Sequence, residues 1–179
     1  MPMLVKWVGE GAEAVEDAFT LVDDDVPPPP GDVIISLARF QNEGEALLGE
    51  GRRLGVRLNA DEPPETLAYD LARISVVALN FPKFRDGRAY SAARVLRDRL
   101  EFKGELRAVG DVLLEQAPFM IRCGFDAFIP ADGTTPAQWA AAAHRYRHVY
   151  QRAQDGREPA FAERARAANP PASGDPHGL

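Results

Sequence analysis

The chain has 179 residues, which is enough for one domain with a substantial core and too few for two ordinary domains. Its 21 lysines and arginines against 27 acidic residues give a net charge of −6, so it lacks the broad positive field that attracts nucleic acid and anionic membranes. Its one cysteine, Cys123, excludes an internal disulfide and a cysteine-rich metal site within one chain. No apolar run approaches the roughly 20 residues of a membrane span and no signal peptide is visible, so we expect a cytoplasmic protein.

The first thirty residues are expected to form a short β arm beside the main domain. Residues 3–8 and 18–22 are apolar runs typical of strands, and a hairpin between them is plausible. Four prolines at 27–30 favour stiff, extended backbone. We therefore divide the chain into an N-terminal arm with a proline-rich spacer at 1–30, an α/β domain at 31–152, and a partly disordered tail at 153–179.

From residue 31 onward, strand and helix patterns alternate. Apolar runs predict strands at 33–37, 55–58, 74–79, 105–109 and 125–129, each followed by a helical pattern. About five βα units in a row indicate an α/β fold with a mostly parallel sheet, either Rossmann-like or a partial β/α barrel. In both arrangements ligands usually bind at the carboxyl ends of the strands.

Three of the helices carry clear signals. In the third, residues 89, 92, 93, 96 and 100 form one apolar face. In the fourth, Pro118 is expected to kink the helix or shorten its start, and Gly124 to end it. The last helix begins with a capping box at Thr135 and is expected to bury a stripe that runs through Trp139 to Tyr150.

Residues 80–91, between the third strand and the third helix, form the one place where polar side chains accumulate at a strand end. A helix start favours an anion, and arginines can hold an oxyanion through paired hydrogen bonds. The candidate anion-binding residues are Arg85, Asp86, Arg88, Ser91, Arg94, Arg107 and Asp111. The alternative is purely structural: a tight turn at 86–87, a helix cap from Asp86 or Ser91, and solvated arginines.

Arg107 lies within an apolar strand and therefore needs an acidic partner. We expect that partner to be Asp86 or Asp111, in either a structural or a catalytic pair. Asp111 is also well placed to be the N-cap of the fourth helix.

The remaining candidates favour no metal and no cofactor. His144 and His148 have a spacing that can bind a metal, but Arg145 and Arg147 would repel a cation. Cys123 is best read as a small buried residue. The chain has neither a glycine-rich dinucleotide fingerprint nor a Walker motif, so we expect no bound cofactor.

Four linked segments give the chain a family resemblance. Residues 81–91 (FPKFRDGRAYS), 93–97 (ARVLR), 104–113 (GELRAVGDVL) and 122–128 (RCGFDAF) resemble the bacterial family called domain of unknown function 934, and weaker matches surround residues 21–24 and 35–39. The resemblance covers roughly residues 3–130.

Members of that family are usually encoded beside assimilatory sulfite reductase and are often labelled oxidoreductases of sulfite reduction. The resemblance therefore implies an accessory protein of sulfite reduction, in sulfur assimilation, that acts by binding the reductase or its electron donor. The alternative is a small oxidoreductase or anion-binding enzyme whose site lies at the carboxyl ends of the strands. The family supplies no catalytic residues to carry over, and the sequence assigns no oligomeric state.

Overall fold

One eight-stranded sheet organises residues 3–168, which are the part of the chain described by the computed structural model. The spatial order is β2-β1-β8-β7-β6-β5-β4-β3. Neighbours from β3 to β8 are parallel, whereas β1 is antiparallel to both β2 and β8. A mixed α/β fold with a mostly parallel sheet is thus confirmed. The strands are β1 Leu4–Val8, β2 Gly11–Val15, β3 Phe19–Leu21, β4 Asp32–Ser36, β5 Leu54–Leu58, β6 Ile74–Phe81, β7 Glu105–Gly110 and β8 Ala127–Phe128.

The main core lies between one face of this sheet and four of the five helices. Strand residues such as Val56, Leu79 and Leu106 pack there against helix residues such as Leu96 and Met120, all nearly inaccessible to solvent. The fifth helix buries none of its residues. The helices are α1 Leu37–Gly49, α2 Arg88–Arg94 (continued by a π-helical turn at Val95–Arg99), α3 Ala117–Cys123, α4 Pro136–Ala143 and α5 Ala160–Ala168.

The sheet is strongly curled, as the link between β2 and β3 demonstrates. These strands are the two edges of the sheet, yet only residues 16–18 join them. A flat sheet of eight strands would separate its edges by seven spacings of about 4.8 Å, or roughly 33 Å. The four chain steps from Val15 to Phe19 span at most about 14 Å. The curl therefore brings the edges close together and gives the sheet an inner face.

The inner face holds a second, smaller apolar cluster of Ile34, Val76, Ala78 and Val109, with Phe19 and Ile129 packed against it. Because side chains alternate across a strand, these residues point away from the helices. Polar and charged groups share this face, and they are described with the candidate site below.

The predicted features of the third and fourth helices are confirmed, whereas the predicted hairpin between residues 3–8 and 18–22 is wrong. Ala89, Ala93 and Leu96 are buried on the α2 face, and Pro118 lies in the first turn of α3, which Gly124 ends at φ 94°. β1 forms a hairpin with β2, Gly11–Val15. The segment from Phe19 instead joins β4 at the other edge, so part of the N-terminal arm is integral to the sheet.

The helical pattern predicted after the strand at 55–58 forms two 3₁₀ turns, Pro64–Leu67 and Leu71–Arg73, and no α-helix. Leu67 and Leu71 are both buried, and β6 begins at Ile74, directly after the second turn.

The last predicted helix was wrong in its second half. α4 opens with the expected capping box, in which the Gln138 backbone N–H donates to Thr135 Oγ1 at 3.3 Å, and Trp139 is fully buried. It ends at Ala143, and Tyr146 and Tyr150 are exposed.

The residues that follow Ala143 form hydrogen bonds with distant parts of the chain. His144 Nε2 lies 2.6 Å from the carbonyl oxygen of Glu10, and Arg157 donates to the carbonyl oxygens of Tyr146 and Arg147. Residues 160–168 of the predicted tail form α5, and its residues 169–179 lie outside the described residues.

Candidate functional site

The turn that follows β6 is held in place from within the fold. The Phe84 backbone N–H donates to Asp111 Oδ2 at 2.7 Å, and the Asp86 N–H donates to the carbonyl oxygen of Lys83 at 2.9 Å. These bonds fix the backbone and leave the side chains of Lys83, Phe84 and Arg85 exposed. We call residues 82–88 the cationic turn.

Gly110 places Asp111 beneath this turn. Its φ of +93° is strained for residues with a side chain, and a Cβ there would lie 2.6 Å from Asn80 Oδ1 and collide with the Phe81 carbonyl oxygen. The Asp111 N–H then donates to that carbonyl at 2.7 Å. The prediction that Asp111 is a helix N-cap was wrong. The next helical turn begins only at Leu114, and its N-cap is Leu113.

Asp86 and Arg88 form an exposed pair at the start of α2. Arg88 Nη2 lies 2.6 Å from Asp86 Oδ2, and the Arg88 backbone N–H donates to the same carboxylate at 3.2 Å. Hydrogen bonds from Arg88 lower the pKa of Asp86 to about 2. The carboxylate of Asp86 thus occupies the first free N–H of the helix, whose N-cap is Gly87, while Ser91 is exposed on α2.

Arg107 belongs to the inner face of the sheet, where it is 1% exposed. Its guanidinium lies 2.7 Å from Asp17 Oδ2 and 2.7 Å from Glu105 Oε1, and Lys6 also reaches Glu105 at 2.7 Å. The prediction of a pair with Asp86 or Asp111 was wrong. Leu106 and Ala108 face the helices, so strand alternation directs Arg107 to the opposite side, towards the link between β2 and β3.

Two asparagines lie at the carboxyl ends of β5 and β6. Asn80 Nδ2 donates to Asn59 Oδ1 at 3.1 Å, and the Asn59 N–H donates to Glu62 Oε2 at 2.6 Å. Asn80 lies within the polar segment 80–91, but neither asparagine was among the predicted site residues. Their mutual hydrogen bond makes this edge polar and ordered.

Arg94 contributes to a different place, a cavity of about 720 Å³ between α2 and α3. The segment after α4 adds residues 151–153 to its wall. We call this cavity the arginine pocket, and its main lining side chains are Tyr90, Arg94, Phe119, Arg122, Cys123 and Arg152. Arg94 pairs with Asp98 at 2.6 Å, and Arg122 pairs with Asp155 at 2.9 Å.

Two titratable groups of this pocket are half-buried. Burial raises the pKa of Tyr90 to about 12, and the Tyr90 ring packs edge-on against Phe81 with 5.3 Å between centroids. Burial also raises the pKa of the Cys123 thiol, although Arg94 and Arg122 act in the opposite direction. Both groups are therefore neutral near pH 7.

The seven candidate residues occupy separate places. The structure brings Asp86 together with Arg88, and Asp111 beneath the turn that carries Arg85. It places Arg94 at the arginine pocket and Arg107 on the other side of the sheet. The other pocket residues were missed because they come from three distant segments. The only sequence signal was the Arg-Cys dipeptide at 122–123.

Within residues 3–168, no group of three or more His, Cys, Asp or Glu side chains is arranged to hold a metal ion. His144 and His148 have different partners, the carbonyl oxygen of Glu10 and, at 2.8 Å, the carboxylate of Glu163. No helix in the same part of the chain combines the length and the apolar character needed to cross a membrane.

Comparison with known proteins identifies the family. No curated protein matches the chain. A family model described as bacterial protein of unknown function (DUF934) matches residues 55–161, from β5 into α5. The match contains the cationic turn, the arginine pocket and Arg107. It begins at residue 55, where the resemblance was expected to begin near residue 3, and it extends beyond the expected end at residue 130. Since it covers more than half of the 179 residues, the chain belongs to the bacterial family DUF934.

Proposed function

We propose that this protein is an accessory protein of assimilatory sulfite reduction that acts by binding sulfite reductase or its electron donor through the cationic turn. The chain belongs to DUF934, and the pathway is what the resemblance to that family implies, since its members are usually encoded beside the reductase. The observation that carries the binding role is the geometry of the turn, a rigid backbone that presents an aromatic ring between two cations.

The side chains of the turn suit a protein interface. The Phe84 ring is 46% exposed, and Lys83 and Arg85 flank it in the chain. Neither cation makes an ion pair within residues 3–168. Aromatic residues and arginine are enriched at the energetic centres of protein interfaces.

The fixed backbone supports binding further. Because Asp111 already holds the Phe84 N–H, little backbone freedom is lost when a partner docks. The turn is positive on a chain whose net charge is −6, so the partner surface is expected to be acidic around an apolar pocket.

A retention experiment tests the binding role. The purified protein is immobilised and exposed to sulfite reductase and its electron donor from the same cell. We expect the wild type to retain one of them and Arg85→Glu to lose most of the retention. Arg145→Glu is the matched control, because Arg145 is also exposed and makes no ion pair within the described residues. No retention by the wild type, with no effect on reductase activity, would contradict the proposal.

Deletion of the gene tests the pathway separately. If the protein serves sulfite reduction, the deletion strain should grow on sulfide or cysteine but poorly on sulfate or sulfite. Equal growth on all four sulfur sources would remove the protein from this step.

The rival function, a small oxidoreductase or anion-binding enzyme at the strand ends, has less geometric support. Asp86 already neutralises Arg88, and Arg107 lies on the other side of the sheet. The rival predicts that sulfite or sulfate raises the melting temperature and that Arg88→Ala abolishes the rise.

A further inference from the structure

The arginine pocket is a second candidate site that lies apart from the cationic turn and does not depend on the function proposed above. Its volume of about 720 Å³ falls within the roughly 300–1,000 Å³ typical of small-molecule sites. Two helices and a separate chain segment build it. The Gln154 N–H donates to the Arg122 carbonyl oxygen at 3.1 Å, and the Gln154 side chain bonds Asp98, so the segment is fixed across α2 and α3.

The pocket is positive although the protein is acidic. Three arginines line it, and none of the lining side chains is a carboxylate. Asp98 and Asp155 each neutralise one arginine from outside the pocket, whereas Arg152 makes no ion pair within residues 3–168. One full positive charge is therefore uncompensated at the wall.

The paired arginines also keep unused donors. A guanidinium has five N–H groups. One guanidinium nitrogen of Arg94 pairs with Asp98. In Arg122 one nitrogen donates to Asp155 and another donates to the carbonyl oxygen of Gln151. Several N–H groups thus remain for an oxyanion, which arginine binds through paired, charge-assisted hydrogen bonds.

Aromatic rings supply the apolar part of the pocket. Tyr90 contributes a half-buried ring that packing against Phe81 holds in place, and Phe119 contributes a ring that is 56% exposed. An exposed phenylalanine at a cavity wall offers a surface on which a planar ring can stack. The thiol of Cys123 adds a small neutral surface to the same wall.

We propose that the arginine pocket binds a nucleoside monophosphate, with the phosphate at Arg152 and Arg94 and the base against Phe119. The three features that select this class are an uncompensated cation with free guanidinium donors, a stacking surface, and a volume suited to a phosphate, a sugar and a base. A free oxyanion would use only the first feature, and an uncharged nucleoside only the second.

The single cysteine makes the site directly observable. Cys123 is the only thiol in the chain, so the rate of alkylation by iodoacetamide reports on this pocket alone. A bound phosphate shields the thiol and also disfavours its thiolate, and both effects slow the reaction.

The experiment measures calorimetric affinity and Cys123 alkylation with AMP, GMP, CMP and UMP, and also with adenosine and inorganic phosphate. We expect at least one nucleotide to bind and to slow alkylation, while adenosine and phosphate each bind at least tenfold more weakly. Arg152→Ala and Phe119→Ala should each weaken nucleotide binding about tenfold, because the first removes a charge-assisted hydrogen bond to the phosphate and the second removes the stacking surface for the base. Arg145→Ala is the control and should bind as the wild type does.

Three outcomes would overturn the proposal: no binding of any of the four nucleotides, equal binding of inorganic phosphate, or binding that leaves the alkylation rate unchanged. The two exposed positions, Arg152 and Phe119, keep the variants folded, which circular dichroism verifies. Arg85→Glu should bind nucleotide as the wild type does, so a failure of partner binding and a failure of nucleotide binding can be told apart.

Discussion

Arg107 Nη1 lies 2.7 Å from Asp17 Oδ2, although ninety residues separate the two along the chain. The pair joins the link between the sheet edges to the centre of β7. Arg107 is almost fully buried, so its charge depends on Asp17 and on Glu105 for compensation.

Removing the charge of Asp17 is therefore expected to destabilise the protein. Asp17→Asn should lower the free energy of unfolding by about 2 kcal/mol, less than the full 3–5 kcal/mol for a broken buried pair because Glu105 remains. Urea denaturation measures the effect. Glu16→Gln is the control, since Glu16 is exposed and should change stability by less than about 0.5 kcal/mol. Equal effects of the two substitutions would show that the pair is not stabilising.

A side chain at residue 110 should disturb the cationic turn. In Gly110→Ala the new Cβ meets Phe81 O and Asn80 Oδ1 at a positive φ, so we expect a loss of about 2–4 kcal/mol. Gly133→Ala is the matched comparison, because Gly133 also has a positive φ, +68°, but has no atom within 4 Å of the added Cβ. It should lose only about 1 kcal/mol. A similar loss in both variants would mean that φ alone, and not the contact with β6, is responsible.

Alkaline stability should depend on Tyr90. Burial raises the pKa of Tyr90 to about 12 from an ordinary value near 10, so the folded state favours the neutral phenol. This contribution to stability is complete below about pH 10 and is lost as the pH rises towards 12. The wild type should therefore lose stability relative to Tyr90→Phe between pH 9.5 and 11.5 in urea titrations. Parallel curves for the two proteins would contradict the shift.

The alkylation profile of Cys123 tests the electrostatics of the arginine pocket in the absence of ligand. Burial raises the pKa of this thiol, and Arg94 opposes the effect. In Arg94→Gln the rate of alkylation should therefore rise at a higher pH than in the wild type, because the thiolate has lost a nearby positive charge. Arg99→Gln, at an exposed position outside the pocket, should leave the profile in place. A shift to lower pH in Arg94→Gln would reverse the assigned role.

The sequence predicted the secondary structure correctly where residues close together in the chain determine it. Leu96 and Ala93 lie on a face that the helical period specifies, and Gly124 ends α3 because it alone accepts a positive φ there without strain. The helix prediction was wrong after Ala143 because residues far away in the chain bind this region. The Glu10 carbonyl oxygen accepts from His144, and Arg157 donates to the carbonyl oxygen of Tyr146.

The candidate site was harder to predict, since it depends on contacts between distant segments. Nothing near Arg107 in the sequence indicates Asp17, and the nearer acid, Asp111, is used by the N–H of Phe84. The arginine pocket needs α2, α3 and residue 152 together, and no local pattern connects them.

The short link at 16–18 also has a consequence for how the molecule opens. Three residues are too short to span a flattened sheet. If the sheet flattens, either β1 must therefore leave β8 or β3 must leave β4. The two ends of the strand order are thereby coupled into one cooperative unit. Amide hydrogen exchange should show the same free energy of opening for β1 and β3, and a long Gly-Ser insertion after Asp17 should let β3 open alone.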